Sequence, residues 1–286
     1  MSPLVQPFYD PTTSTVSYVV HAGAGSACAV IDPVLDFEAR SGRTATTQAD
    51  RILAFIAEDR LALAWIFETH VHADHLTAAR LLKSRAGGRI AIGAGVVAVQ
   101  ETFGALFNAG SEFRRDGSEF DRLFTDGETC AIGDLTARIL ATPGHTPDGI
   151  TYVIGDAAFV GDTMFMPDGG TARCDFPGGS ASVLYASLRR ILALPAETRI
   201  YVCHDYQPGG RAPAWQTSVG EQLVGNIHLR DGIDEVAFVA LRTERDRKLP
   251  PPALLIPSVQ VNMQAGNFPP AEANGVSYLK LPIDRL

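Results

Sequence analysis

An α/β fold with two sheets covered by outer helices is what the order of apolar patterns in this chain predicts. Three observations carry that expectation. Between residues 14 and 107, runs rich in Val, Ile and Tyr alternate with segments whose apolar residues recur at helical spacing. Between 128 and 160, four short strand-like runs follow one another, split by Gly133-Asp134 and Gly155-Asp156, pairs suited to tight hairpin turns. Beyond 182 the pattern returns to helix, strand and helix. With 286 residues, 46% of them hydrophobic, and no linker-like stretch, the chain has material for one large core. It reads as a single domain over 1–286. Residues 207–286 form a C-terminal extension, part helical and part irregular, that packs on it.

Ser14 to His21 and Ala27 to Ile31 read as a hairpin around the turn Gly23-Ala24-Gly25-Ser26. Thr47 to Arg60 is a helix, because Ile52, Leu53, Phe55 and Ile56 fall on one side and Thr46 or Thr47 can cap it. Leu61 to Glu68 is a short buried strand. From Asp74 onward Leu76, Ala79, Leu81 and Leu82 repeat at helical intervals, so the spacing predicts a helix starting at Asp74 and His75. Arg89 to Ile92 is a strand, Val96 to Phe107 a helix, and the polar stretch Ser111 to Thr125 a loop. Glu128 to Ile132, Leu135 to Ala141, Gly149 to Ile154 and Ala157 to Val160 are the four short strands. Ser182 to Leu194 is a helix with Leu184, Leu188 and Ile191 on its apolar side, and Arg199 to Cys203 is the last strand. Ser218 to Leu229 and Asp234 to Lys248 read as helices, the second stopped by Pro250-Pro251-Pro252. The remaining tail mixes Pro, Gly and Asn with apolar residues and is expected to wrap the domain.

The formal net charge is −8 and the basic residues are scattered, which argues against a phosphate-backbone footprint and hence against nucleic acid. The longest apolar runs, such as Leu61 to Phe67, are too short to span a bilayer. No leader pattern is read in Met1 to Thr15, so a cytoplasmic protein is expected. Cys28, Cys130, Cys174 and Cys203 are far apart, and reduced thiols are expected, with Cys28 and Cys130 filling the core.

His70-Val71-His72-Ala73-Asp74-His75 packs three of the seven histidines and a carboxylate into six residues, directly after an apolar run. Imidazole and carboxylate together suit Zn, Fe or Mn, whereas no CxxC spacing offers a thiolate site. His145, Asp162 and His204 also end strand-like runs, which brings ligands from distant sequence to one rim. Gly144 and Gly161 leave room for the backbone to turn sharply beside their neighbours. Seven potential ligands result, more than one ion needs. Asp32 is expected as a hydrogen-bond partner of the histidine loop rather than a ligand. His21 and His228, which have no companions, are left out.

This constellation resembles the metallo-β-lactamase superfamily, over residues 14 to 206 and in the expected order. The resemblance implies an αβ/βα four-layer sandwich with the metal at the rim between the sheets. Gly161-Asp162-Thr163, the stretch Gly170 to Phe176, and Cys203-His204-Asp205-Tyr206 look like the persulfide dioxygenases, the sulfur dioxygenase branch related to glyoxalase II. That branch oxidises glutathione persulfide with O2 to sulfite and glutathione at one Fe(II) per chain. Carried over, its iron ligands are His70, His145 and Asp162, while His72, Asp74, His75 and His204 surround the site without binding the iron. A two-zinc hydrolase of a glutathione thioester or related ester instead places His70, His72 and His145 on one ion, Asp74, His75 and His204 on the other, and Asp162 between. The sequence contains both sets. Arg173 is the candidate to pair with a glutathione carboxylate, against an alternative ion pair with Asp175, and Tyr206 the candidate to hydrogen-bond near the sulfur. Cys174 reads as a small buried side chain. Homologous architecture suggests a homodimer.

Overall fold

Leu4–Asp10 (β1), Thr15–His21 (β2) and Ala27–Ile31 (β3) open the computed structural model, which describes residues 1–230 and 232–285. Positions 231 and 286 of the predicted extension lie outside the described residues. β1 pairs antiparallel with β2 along its whole length, and β2 with β3 across the Gly23–Ser26 turn. The chain then forms a small ribbon, β4 (Val34–Glu38) and β5 (Arg43–Ala45), and returns through α1 (Thr47–Glu58) to β6 (Ala62–Phe67). β7 (Leu76–Thr77) and α2 (Ala79–Ala86) lead to β8 (Arg89–Gly93), and α3 (Val96–Leu106) to β9 (Arg122–Phe124). The first sheet has the order β1-β2-β3-β6-β8-β9, and its last four strands are parallel, as crossover connections require.

β10 (Thr129–Ile132), β11 (Leu135–Ala141), β12 (Ile150–Ile154) and β13 (Ala157–Phe159) form an antiparallel meander. Its tight turns are the two Gly-Asp pairs, flanked by the register pairs Ile132↔Leu135 and Ile154↔Ala157. α4 (Ala181–Leu192) carries the chain to β14 (Arg199–Tyr201), parallel to β13, and β15 (Gln216–Ser218) closes the edge of the second six-stranded sheet. α5 (Val219–Gly225), α6 (Glu235–Asp246) and α7 (Leu255–Asn262) complete the chain.

The period-two alternation of the strands sorts their side chains into three cores. Tyr18, Ile31, Phe67 and Ala91 face the second sheet, where Ile139, Tyr152, Ile154 and Phe159 meet them. The residues between them, Val19, Val30, Ile66 and Ile90, face outward against Ile52 of α1, Leu82 of α2 and Val99 of α3. On the far side Val153, Ala158 and Ile200 take Leu184, Leu188 and Ile191 of α4 and Phe238 of α6. Phe67 and Tyr152 stack across the central layer at 4.3 Å. Helix, sheet, sheet and helix therefore follow in four layers.

Four expectations need correction. The helix predicted from Asp74 begins only at Ala79, because Leu76 and Thr77 are drawn into pairing with Leu35 and Val34 of β4. The N-terminal segment, for which no element was expected before Ser14, holds β1, whose Pro7 is tolerated at a sheet edge. Arg122–Phe124, read as loop, adds a strand beside β8. The helix predicted over 218–229 stops at Gly225, and the proline-rich tail contains α7.

α7 is tied to the histidine loop by one side chain. Asn262 Nδ2 donates to the carbonyls of His72 (2.9 Å) and His75 (2.7 Å), and its Oδ1 accepts from Thr77 N (2.8 Å), all of them buried. Asn262→Ala strands all three backbone groups, and each buried polar group left unpaired costs about 1–3 kcal/mol. Chemical denaturation is expected to show a loss within that range or above it. A midpoint equal to wild type would mean that water replaces the amide.

Candidate metal centre

Every predicted ligand leaves a strand at its C-terminal end. His70 follows β6 of the first sheet, and His145, Asp162 and His204 follow β11, β13 and β14 of the second. The sheets are laced together there by Ile150 N to Thr69 O (2.9 Å) and Val16 N to Cys203 O (2.7 Å). Gly144 has φ +133°, and a Cβ on it would stand 2.4 Å from the Leu184 backbone. Gly161 has φ +53°, and a Cβ there would meet Thr69 Oγ1 at 2.5 Å. Both turns thus require glycine, as the sequence suggested.

His70, His145 and Asp162 come together, each more than nine-tenths buried. One Asp162 oxygen lies 3.7 Å from His70 Nε2 and 3.6 Å from His145 Nε2. Those separations exceed a hydrogen bond but suit a shared ion held by bonds of about 2.0–2.2 Å. The tautomers follow from the neighbours. Thr69 Oγ1 donates to Asp32 (2.9 Å), so at 3.0 Å it accepts from His70 Nδ1. His145 Nδ1 donates to the Arg173 carbonyl (2.6 Å). Each ring is left with an Nε2 lone pair, the form that ligates a metal. His70 Nε2 and the second Asp162 oxygen have no hydrogen-bond partner among the described residues. Burial holds His70 well below the usual imidazole range, pushes His145 down to about 4 and pushes Asp162 up to about 7. Unpaired lone pairs of this donor set, shielded from water, fit a transition ion.

The other four candidates form a second group beside it, His72, Asp74, His75 and His204. His204 Nε2 lies 3.1 Å from Asp74 and 3.3 Å from the second Asp162 oxygen. Burial disfavours its charge, but Asp162 and Asp74 together hold His204 above its ordinary value. His72 Nε2 stands 3.0 Å from Asp32, not aligned for a hydrogen bond, and His75 Nδ1 is 3.3 Å from Asp74. Asp32, at φ +48°, accepts from Thr69 N (2.8 Å) and Thr69 Oγ1, so its expected place beside the loop holds. Asp148 and Asn262 were missed by the sequence reading. Asp148 accepts from Val71 N (2.7 Å), and its position three residues after His145 was the only signal for it. Asn262 gave none.

His145, Asp162 and Asp74 open onto a cavity of about 720 Å³, well within the roughly 300–1,000 Å³ of small-ligand sites. Phe165, Phe176 and Tyr206 line it, and Pro250–Pro252 form part of its wall. Tyr206 stacks on His204 with its ring planes 7° apart. Arg173 lines the cavity too, but its fork is engaged by Asp175 at 2.6 and 2.8 Å and its third nitrogen by the Pro250 carbonyl at 2.6 Å. The alternative ion pair is therefore what forms. Cys174 is buried, with its thiol pushed up to about 12 by burial.

The metallo-β-lactamase superfamily model matches residues 10–204. The chain belongs to the metallo-β-lactamase superfamily. Within it, the chain is 53% identical over 292 residues to a probable metallo-hydrolase of Burkholderia pseudomallei, with 99% of each covered. It is 52% identical to a β-lactamase hydrolase-like protein of Agrobacterium fabrum, covering 99% of this chain but 65% of that one, so it spans about two thirds of that relative's length. Human mitochondrial persulfide dioxygenase ETHE1 is 31% identical over 206 residues, covering 71% of this chain and 68% of that one. Among solved structures, ETHE1 of Myxococcus xanthus superposes with a TM-score of 0.73 at 31% identity, covering 92% of this chain and 100% of the other.

His145→Ala and Asp162→Asn are expected to lower bound metal at least tenfold, while far-UV circular dichroism stays unchanged. Gly161→Ala is expected to lose metal as well, and to be destabilised by more than about 1 kcal/mol because its φ is positive. Full metal content in His145→Ala would remove that residue from the ligand set.

Proposed function

We propose that this chain is a mononuclear non-heme iron persulfide dioxygenase, converting glutathione persulfide, O2 and water to glutathione and sulfite. One observation carries the reading. Of the seven candidate donors, His70, His145 and Asp162 form a two-histidine, one-carboxylate face in which both imidazoles present Nε2 to one Asp162 oxygen, at 3.7 and 3.6 Å, and His145 and Asp162 open onto the large cavity. The likeness to the two ETHE1 proteins over most of the chain supports it.

His70, His145 and Asp162 would hold Fe(II), which would supply a redox-active centre at which O2 takes up the four electrons that the persulfide's outer sulfur gives up on becoming sulfite. The protein's own part is positional. Thr69 and the Arg173 carbonyl fix the two imidazoles by their Nδ1 protons. Phe165 and Phe176 present apolar walls beside them, which keep water from the reacting sulfur. Tyr206 lines the same cavity and would offer its hydroxyl near that sulfur.

A second reading is favoured by a separate observation. His72, Asp74, His75 and His204 also bring their donor atoms within 4.8 Å of one another, enough for a second ion, and the 53%-identical relative is named a metallo-hydrolase. A dinuclear zinc hydrolase of a glutathione thioester would use both groups with Asp162 between them.

Metal analysis joined to an oxygen electrode separates the two. The dioxygenase reading expects one iron per chain, O2 uptake with glutathione persulfide, and sulfite as product. It also expects His72→Ala to keep its iron, whereas Asp162→Asn loses both iron and turnover. Two zinc ions per chain, thioester cleavage and no O2 uptake would replace it with the hydrolase.

A further inference from the structure

We infer that Arg245, on the exposed face of α6, is the anchor for the substrate's carboxylate in the large cavity, and that Arg173 is not. This rests on the proposal of a glutathione-derived substrate, whose glycine end carries a carboxylate. Three arginines line the cavity, Arg173, Arg242 and Arg245. Arg173 is committed to Asp175 and to the Pro250 carbonyl. Arg242 is almost wholly buried and committed to Asp246 and the Thr171 carbonyl.

Arg245 differs from both. Its side chain is exposed and has no hydrogen bond or ion pair among the described residues. Among the described residues no lysine lines the cavity, and Arg245 is the one cation there whose donors are open to an incoming anion. Drawing Arg173 to a substrate carboxylate would mean breaking a bidentate pair and releasing Pro250, whereas Arg245 gives up only water. Arg173 is thus the fastening that holds the 249–252 segment as a cavity wall. Arg245, close in sequence to that wall, reads the ligand that enters beside it. His145 and Asp162 line the same cavity, so a substrate whose carboxylate pairs with Arg245 has its sulfur in the compartment onto which they open.

The test uses full-length, iron-loaded protein with glutathione persulfide and with the persulfide of glutathione monoethyl ester, whose glycine carboxylate is masked. Arg245→Ala is expected to raise KM for the free acid by about ten- to a hundredfold, the loss of one charge-assisted hydrogen bond, with kcat changed far less. KM for the ester should be nearly unaffected, and Arg245→Lys should recover part of the difference. An unchanged KM in Arg245→Ala, or equal losses for acid and ester, would overturn the assignment. Titration calorimetry with reduced glutathione keeps the two proposals apart. Glutathione binding that depends on Arg245 without any O2 uptake would retain the anchor and reject the dioxygenase. Turnover indifferent to Arg245 would do the reverse.

Discussion

Removing the Glu68–His75 loop from water is the constraint on which the rest of the molecule depends. The loop follows a buried strand, so its backbone groups need partners from within the protein. Three distant side chains provide them. Asp32 accepts from Thr69, Asp148 from Val71, and Asn262 donates to the carbonyls of His72 and His75. One comes from the first sheet, one from the second and one from the tail. What stays unpaired there is a set of potential metal donors, Nε2 of His70, His72, His75 and His204 and one Asp162 oxygen. A buried set of that kind gains more from a bound cation than from any rearrangement of its neighbours.

The same arrangement explains why the candidate donors were readable from sequence while their supports were not. A histidine or aspartate at the end of an apolar run is a local pattern that His70, His145, Asp162 and His204 all show, and for His145 and Asp162 a preceding glycine sharpens it. The layers were legible as well, since alternation in β2, β6 and β12 separates the residues of the central core from those facing the helices. β1 was not, because Pro7 and weak alternation hide a strand that exists only by pairing with β2. Leu76 and Thr77 have helical spacing with their successors, yet β4 takes them as a strand, so tertiary pairing overrides local propensity. Asn262 is an ordinary polar residue in sequence. Its role depends on where α7 docks, 187 residues from His75.

Arg173 shows a different limit. Guanidinium chemistry made it the natural carboxylate binder, and it does bind a carboxylate, that of Asp175 two residues away. Residue type predicted the interaction, and only the fold decides the partner. Its backbone matters as much as its side chain, since the Arg173 carbonyl sets the His145 tautomer.

That carbonyl links the extension to the candidate donor His145. The next residue, Cys174, donates its backbone N–H to Asp246 (2.9 Å), and Asp246 is paired with Arg242 one turn earlier on α6. A buried ion pair is often no more stabilising than well-packed apolar residues of the same volume. Here an apolar replacement would preserve the packing of α6 but take away the acceptor that holds Cys174 N–H, and with it the placement of the loop whose preceding carbonyl orients His145. The pair holds the Cys174 backbone in position. The helix after residue 234 thus belongs to the site as fully as the histidine motif does, although it lies beyond the 10–204 span that the superfamily shares.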